Sequence, residues 1–231
     1  MSPHAASLIQ LLCIAAIPLI FAITLHEAAH GYVASKLGDQ TASIMGRVSL
    51  NPLRHIDPFG TVILPLLMLA MGGFIFGWAK PVPIAYQNLR NPRRDMALVG
   101  IAGPAANLLM AVLWAILAKL SHIAFQNPTL HETLHSTALF LHLTSRFGIM
   151  INCVLLVINL IPIPPLDGSR VISSILPPTM ARKYDRLESY GIWIFLGLVL
   201  FLYATNSEWI VFGPIYALIH WVYTLLGLPL S

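Results

Sequence analysis

Charge is what this 231-residue chain has least of. Only 10% of its residues are Asp, Glu, Lys or Arg, whereas 57% are hydrophobic and the mean hydropathy is +0.78. A chain so composed cannot clothe itself in polar groups, which excludes an ordinary soluble domain and points to an integral membrane protein. Cysteine is nearly absent. Cys13 and Cys153 both lie within apolar runs, so a disulfide framework is excluded and small buried thiols are expected. No internal repeat, low-complexity tract or soluble accessory domain is evident, and residues 1–231 read as one membrane-embedded domain. The net charge of +4 and isoelectric point near 9.3 do not signal a nucleic-acid partner. The 13 Lys and Arg sit between apolar runs, where they report membrane orientation. The first apolar run lacks a basic leading region and a small-residue cleavage site, so it is read as a retained span.

What is present is a series of apolar segments, each to be weighed against the roughly 20 residues that cross a bilayer core. They cover Ser7–Tyr32, Thr61–Ala79, Met96–Leu120, Phe147–Ile163, Ser189–Tyr203 and Trp209–Leu228. The expectation is an all-α polytopic membrane protein with five or six transmembrane segments. The second is doubtful as a crossing because it holds Pro65, Gly72, Gly73 and Gly77. If it dips in and returns, the loops at 33–60, 80–95 and 165–188 share a face and carry eleven basic residues, against Lys119 and Arg146 opposite. That asymmetry is the one expected of cytoplasmic loops. Ser43–Leu50 is expected to form a short β-hairpin, and Asn127–Leu143 a short interfacial helix opened by Pro128.

The chemistry concentrates in His26-Glu27-Ala-Ala-His30, at the end of the first run. Residues four apart share a helix face, so His26 and His30 can present their imidazoles to one metal ion. Glu27, one position along, is placed to take a proton from water activated by that metal. Ionisable groups at the end of a membrane-length helix are costly and mark a functional site by default. Two His leave a catalytic zinc site one ligand short. Asp167 follows directly on the fourth run. It is either part of an ordinary Asp-Gly turn or, if the loops share a face as above, a carboxylate at the depth of His26 and His30. A second motif, His131-Glu-Thr-Leu-His135 with His142 beyond it, has the same spacing. If the loops share a face as above, it lies on the face opposite the first, and no carboxylate follows it before Asp167.

Taken together, His26–His30, Ala102-Gly-Pro-Ala-Ala-Asn107, Asn159–Gly168, Arg47–Gly60 and Gly77–Pro83 resemble the site-2 protease family of intramembrane zinc metalloproteases, in its small prokaryotic form without PDZ or CBS domains. The resemblance covers about three quarters of the chain in the family's order. It implies one zinc per chain held by His26, His30 and Asp167, with Glu27 as general base. It also implies a three-helix catalytic core, within about 7–176, with a membrane-dipping β-hairpin or re-entrant element, followed by C-terminal helices at about 189–229. The implied reaction is hydrolysis of a peptide bond within or near a transmembrane segment of a membrane-protein substrate. The implied place is the cell membrane, with the active site nearer the cytoplasmic face. Asn107 and Asn159, polar groups in apolar spans, are candidates for pairing with substrate backbone or for interhelical hydrogen bonds. A membrane metal transporter or metal-binding regulator using the same ligands is the alternative, but a transporter's ionisable groups would spread through several spans.

Overall fold

The computed structural model describes residues 3–63, 67, 79–127 and 132–229, and these contain helices and no β-strand. The helices are α1 (Pro3–Lys36), α2 (Thr41–Ile44), α3 (Pro92–Phe125), α4 (Glu132–Asn159), α5 (Asp167–Ile175), α6 (Pro178–Asp185), α7 (Gly191–Ala204) and α8 (Trp209–Leu226). Among the described residues, five stretches are long and apolar enough to cross a membrane: Gln10–Lys36, Pro92–Phe125, Leu134–Asn159, Pro178–Ala204 and Trp209–Leu226.

The packing inverts that of a soluble protein. Along α3, Gly100, Gly103, Asn107, Ala111, Ala115 and Ala118 recur every three or four residues and are buried. The outward face carries Leu109, Leu113, Leu120 and Ile123, all at least half exposed. Between lipid-facing helices there is little hydrophobic gain, so association depends on close backbone approach, which a stripe of small residues permits. α4 packs along this stripe and α1 against its first half. α8 closes the far part, Val222 and Tyr223 meeting Ala111, Ala115, Ala118, Ile149 and Cys153.

Two local expectations are corrected. Ser43–Leu50 is not a hairpin. Asp39 accepts hydrogen bonds from the Thr41 amide and hydroxyl at 3.0 and 2.5 Å and so starts the helical turn α2. Gly46, at φ +64, ends it in the left-handed conformation. The amides of Gly46 and Arg47 then return to the carbonyls of Ser43 and Ala42 at 2.9 and 2.8 Å, the Schellman closure of a helix, which leaves no strand to pair. Nor is 132–143 a separate interfacial helix. Nothing between Leu143 and Phe147 breaks the helix, so α4 runs unbroken through both.

The segment suspected of re-entry, Thr61–Ala79, falls largely outside the described residues, as do Pro128 and His131. Its flanks meet. The His55 carbonyl accepts from the Lys80 amide at 2.9 Å, and the Leu37 carbonyl accepts from the Arg90 amide at 3.0 Å, so the end of α1 and the approach to α3 lie side by side. Asp39 joins the same parts, accepting from the Ala85 amide at 2.7 Å and the Asn88 side chain at 3.1 Å. Burial pushes the Asp39 carboxyl up, but these donors and those of Thr41 outweigh it and hold the group below its usual range.

Candidate metal centre

The i, i+4 spacing on α1 puts His26 and His30 on the face turned toward α3, both buried. Asp167 reaches them from elsewhere in sequence. After α4 ends at Asn159, the chain folds back through 160–166, and Asp167 opens α5, which packs against α3. The two Nε2 atoms lie 3.1 Å apart, and Asp167 Oδ2 stands 3.1 Å from that of His26 and 3.2 Å from that of His30. Among the described residues these three form the one cluster of His, Cys, Asp and Glu able to hold a metal ion.

The tautomers follow from the opposite ring edges. His26 Nδ1 faces Asn107 Oδ1 at 2.6 Å and His30 Nδ1 faces the Val99 carbonyl at 2.7 Å, both acceptors. Each Nδ1 therefore carries the proton and donates it, leaving both Nε2 lone pairs aimed at one point. Asp167 Oδ2 is buried and has no hydrogen-bond donor. Three acceptors converging without a donor repel one another, and a cation between them reverses the sign. The residues thus fit a divalent metal with two imidazoles and one carboxylate, the donor set of an open tetrahedral zinc site.

Room for the ion comes from α3. A Cβ on Gly103 would stand 2.5 Å from both His26 Cε1 and His30 Nε2, so any side chain there would occupy the centre. Glu27 is partly exposed beside the pair. Its Oε2 accepts from the Val82 amide at 2.9 Å. Arg47 anchors the same strap, donating to the Lys80 and Pro81 carbonyls at 2.6 and 3.2 Å.

Asn107 is fully buried behind His26, its carbonyl given to that ring and its amide to Asn152 Oδ1 at 2.9 Å. Asn159, at the end of α4, turns its amide back to the Leu155 carbonyl at 2.9 Å. Sequence reasoning missed three contributors. Asn152 extends the chain from His26 through Asn107 and donates to the Gly148 carbonyl at 2.8 Å. The signal that picked out Asn107 and Asn159, a lone amide in an apolar span, applied to it equally. Arg170, one helical turn past Asp167, places Nη1 3.3 Å from Asp167 Oδ1. The Val82 amide is a backbone group and leaves no residue signature at all.

Among the described residues, the second motif shows no comparable cluster. His135 stacks on Phe125, ring centroids 4.4 Å apart, and His142 lies 5.1 Å from His122 with its Nδ1 toward the Ala118 carbonyl.

Residues 14–204 match the sequence profile of peptidase family M50. The chain is 42% identical over 191 residues to the "Putative zinc metalloprotease YwhC" of Bacillus subtilis, covering 83% of this chain and 81% of that protein. It is 30% identical over 208 residues to the "Putative zinc metalloprotease Rip2" of Mycolicibacterium smegmatis, covering 90% and 72%. It is 31% identical to its namesake in Mycobacterium tuberculosis H37Rv over the same shares. No solved structure matches.

Proposed function

The chain belongs to peptidase family M50, and from that premise we propose how its residues divide the work of an intramembrane zinc metalloprotease. His26, His30 and Asp167 hold the zinc, which when bound lowers the pKa of water toward about 7 and polarises a carbonyl. Glu27 takes the proton from the attacking water and returns it to the leaving amine as the peptide bond breaks. The Val82 amide fixes one carboxylate oxygen of Glu27, so the other is presented to the water in a set direction. Asn107 and Val99 set the ring orientation and tautomer of the two His from behind. The observation that carries this reading is the convergence of three buried acceptors on one point with a carboxylate base beside it.

The substrates are transmembrane segments of other membrane proteins, which must unwind locally because a helix keeps its backbone groups in internal hydrogen bonds. Metal transport finds no support, since the ligands cluster at one depth. The deciding experiment is turnover of a transmembrane peptide by zinc-loaded protein. Glu27→Gln should keep its zinc and lose at least a hundredfold in rate, the lower end of what general acid–base catalysis supplies. Undiminished turnover would refute the assignment.

The centre faces the cytoplasmic side of the cell membrane. Eleven of the 13 Lys and Arg lie in the loops that share its end of the molecule. In a Cys13→Ser, Cys153→Ser background, single cysteines at Ser49 and Asn88 should both label from the cytoplasm. Labelling from the outer side would invert the orientation.

A further inference from the structure

We propose that the cavity between the start of α3, α5 and α6 binds a phosphate group. The cavity measures about 210 Å³, and three arginines line it from three different elements: Arg93 of α3, Arg170 of α5 and Arg182 of α6. Asp185 is the one carboxylate in its wall. With Asp167 paired to Arg170 and Asp185 in the wall, three cations against two anions leave one positive charge unbalanced. Among the described residues, neither Arg93 nor Arg182 has a carboxylate within ion-pairing distance, and Arg170 shares only Asp167 Oδ1. Guanidinium groups suit oxyanions, and three of them from separate elements line this one cavity, a composition suited to phosphate. Ser173 adds a hydroxyl.

The position points to the same ligand. Pro92 opens one membrane-length stretch and Pro178 another, so the cavity lies where two spans leave the bilayer, at headgroup depth. Met96, Pro178 and Ala181 give it an apolar flank beside the arginines. A phospholipid headgroup and a free phosphate present the same chemistry to such a site.

Occupancy would also bear on the metal centre. Arg93 donates to the Ser174 and Leu176 carbonyls, tying the end of α5 to α3. Arg170 pairs with the ligand Asp167 at the beginning of that helix. A phosphate spanning Arg93, Arg170 and Arg182 fastens α5 at both ends.

The test uses the full zinc-loaded chain, stripped of lipid in a neutral detergent. Thermal unfolding is followed while inorganic phosphate is added, and separately in nanodiscs of phosphatidylglycerol or of phosphatidylcholine alone. We expect stabilisation by phosphatidylglycerol, by inorganic phosphate or by both. Arg182→Ala should weaken the response at least tenfold and Arg182→Lys should weaken it less, with zinc content unchanged in each. A response to phosphatidylglycerol alone assigns the site to a lipid headgroup, and one to inorganic phosphate alone assigns it to a soluble anion. Failure of both probes, or an equal response in Arg182→Ala, would overturn the proposal.

Discussion

The two ends of the α3–α4 pair carry similar letters and do different things. At one end, His26 and His30 stand four residues apart and make a centre. At the other, His135 carries the same spacing from His131 in sequence, and among the described residues it makes no such centre with His122 and His142. The difference lies in what stands behind and across from each ring. At the first end both Nδ1 atoms are tied to acceptors, and a carboxylate from 137 residues further along the chain faces both Nε2 atoms within 3.2 Å. At the second, one ring stacks on Phe125 and the other two lie against each other, and among the described residues no carboxylate joins them. Spacing on a helix selects a face; a metal centre needs acceptors meeting from several elements.

The comparison breaks most sharply if the wrong end holds the metal. Asp167→Asn and His26→Ala should lose most of their zinc by elemental analysis after gel filtration, while His135→Ala and His142→Ala retain one equivalent. The reverse pattern would transfer the site. A smaller effect should follow from loosening the support behind one ring. Asn107→Ala removes the acceptor for His26 Nδ1, and loss of such a partner costs about 10–100-fold in metal affinity. A competitive chelator titration reads this directly, and unchanged affinity would return Asn107 to a packing role. The smallest effect concerns the base. Val82 stands between Pro81 and Pro83, so Val82→Pro deletes one amide donor from backbone already held extended, while Val82→Ala keeps it. Hydrogen bonds to a charged group are worth about 1.5–3 kcal/mol, and if about half of this is expressed in the transition state, turnover should fall about 4- to 12-fold in the proline variant only. Equal loss in both would make the buried Val82 side chain, and not its amide, responsible.

These comparisons also show what the sequence could reveal. The first motif was legible because both His and Glu27 lie within one helical turn, where geometry follows from spacing. Asp167 was legible only through topology, because the uneven spread of Lys and Arg put its loop at the same membrane face as the motif. Apolar segments, expected at five or six, stood out, and five stretches among the described residues are long enough to cross, but the supposed hairpin did not survive, since Gly46 closes a helical turn. The break expected near Leu143 failed because no proline or cap lies there. Asn152, Arg170 and the Val82 strap depend on contacts that join separate elements or backbone atoms, which no periodicity encodes.

Gly103 carries a consequence of its own. α3 gives the centre no ligand, yet the centre depends on α3 having nothing at that position. A relative could keep His26, Glu27, His30 and Asp167 intact and be silenced by one methyl group at 103. Pattern matching on ligands alone would count such a chain as an active enzyme, so the glycine belongs in the signature as a required vacancy.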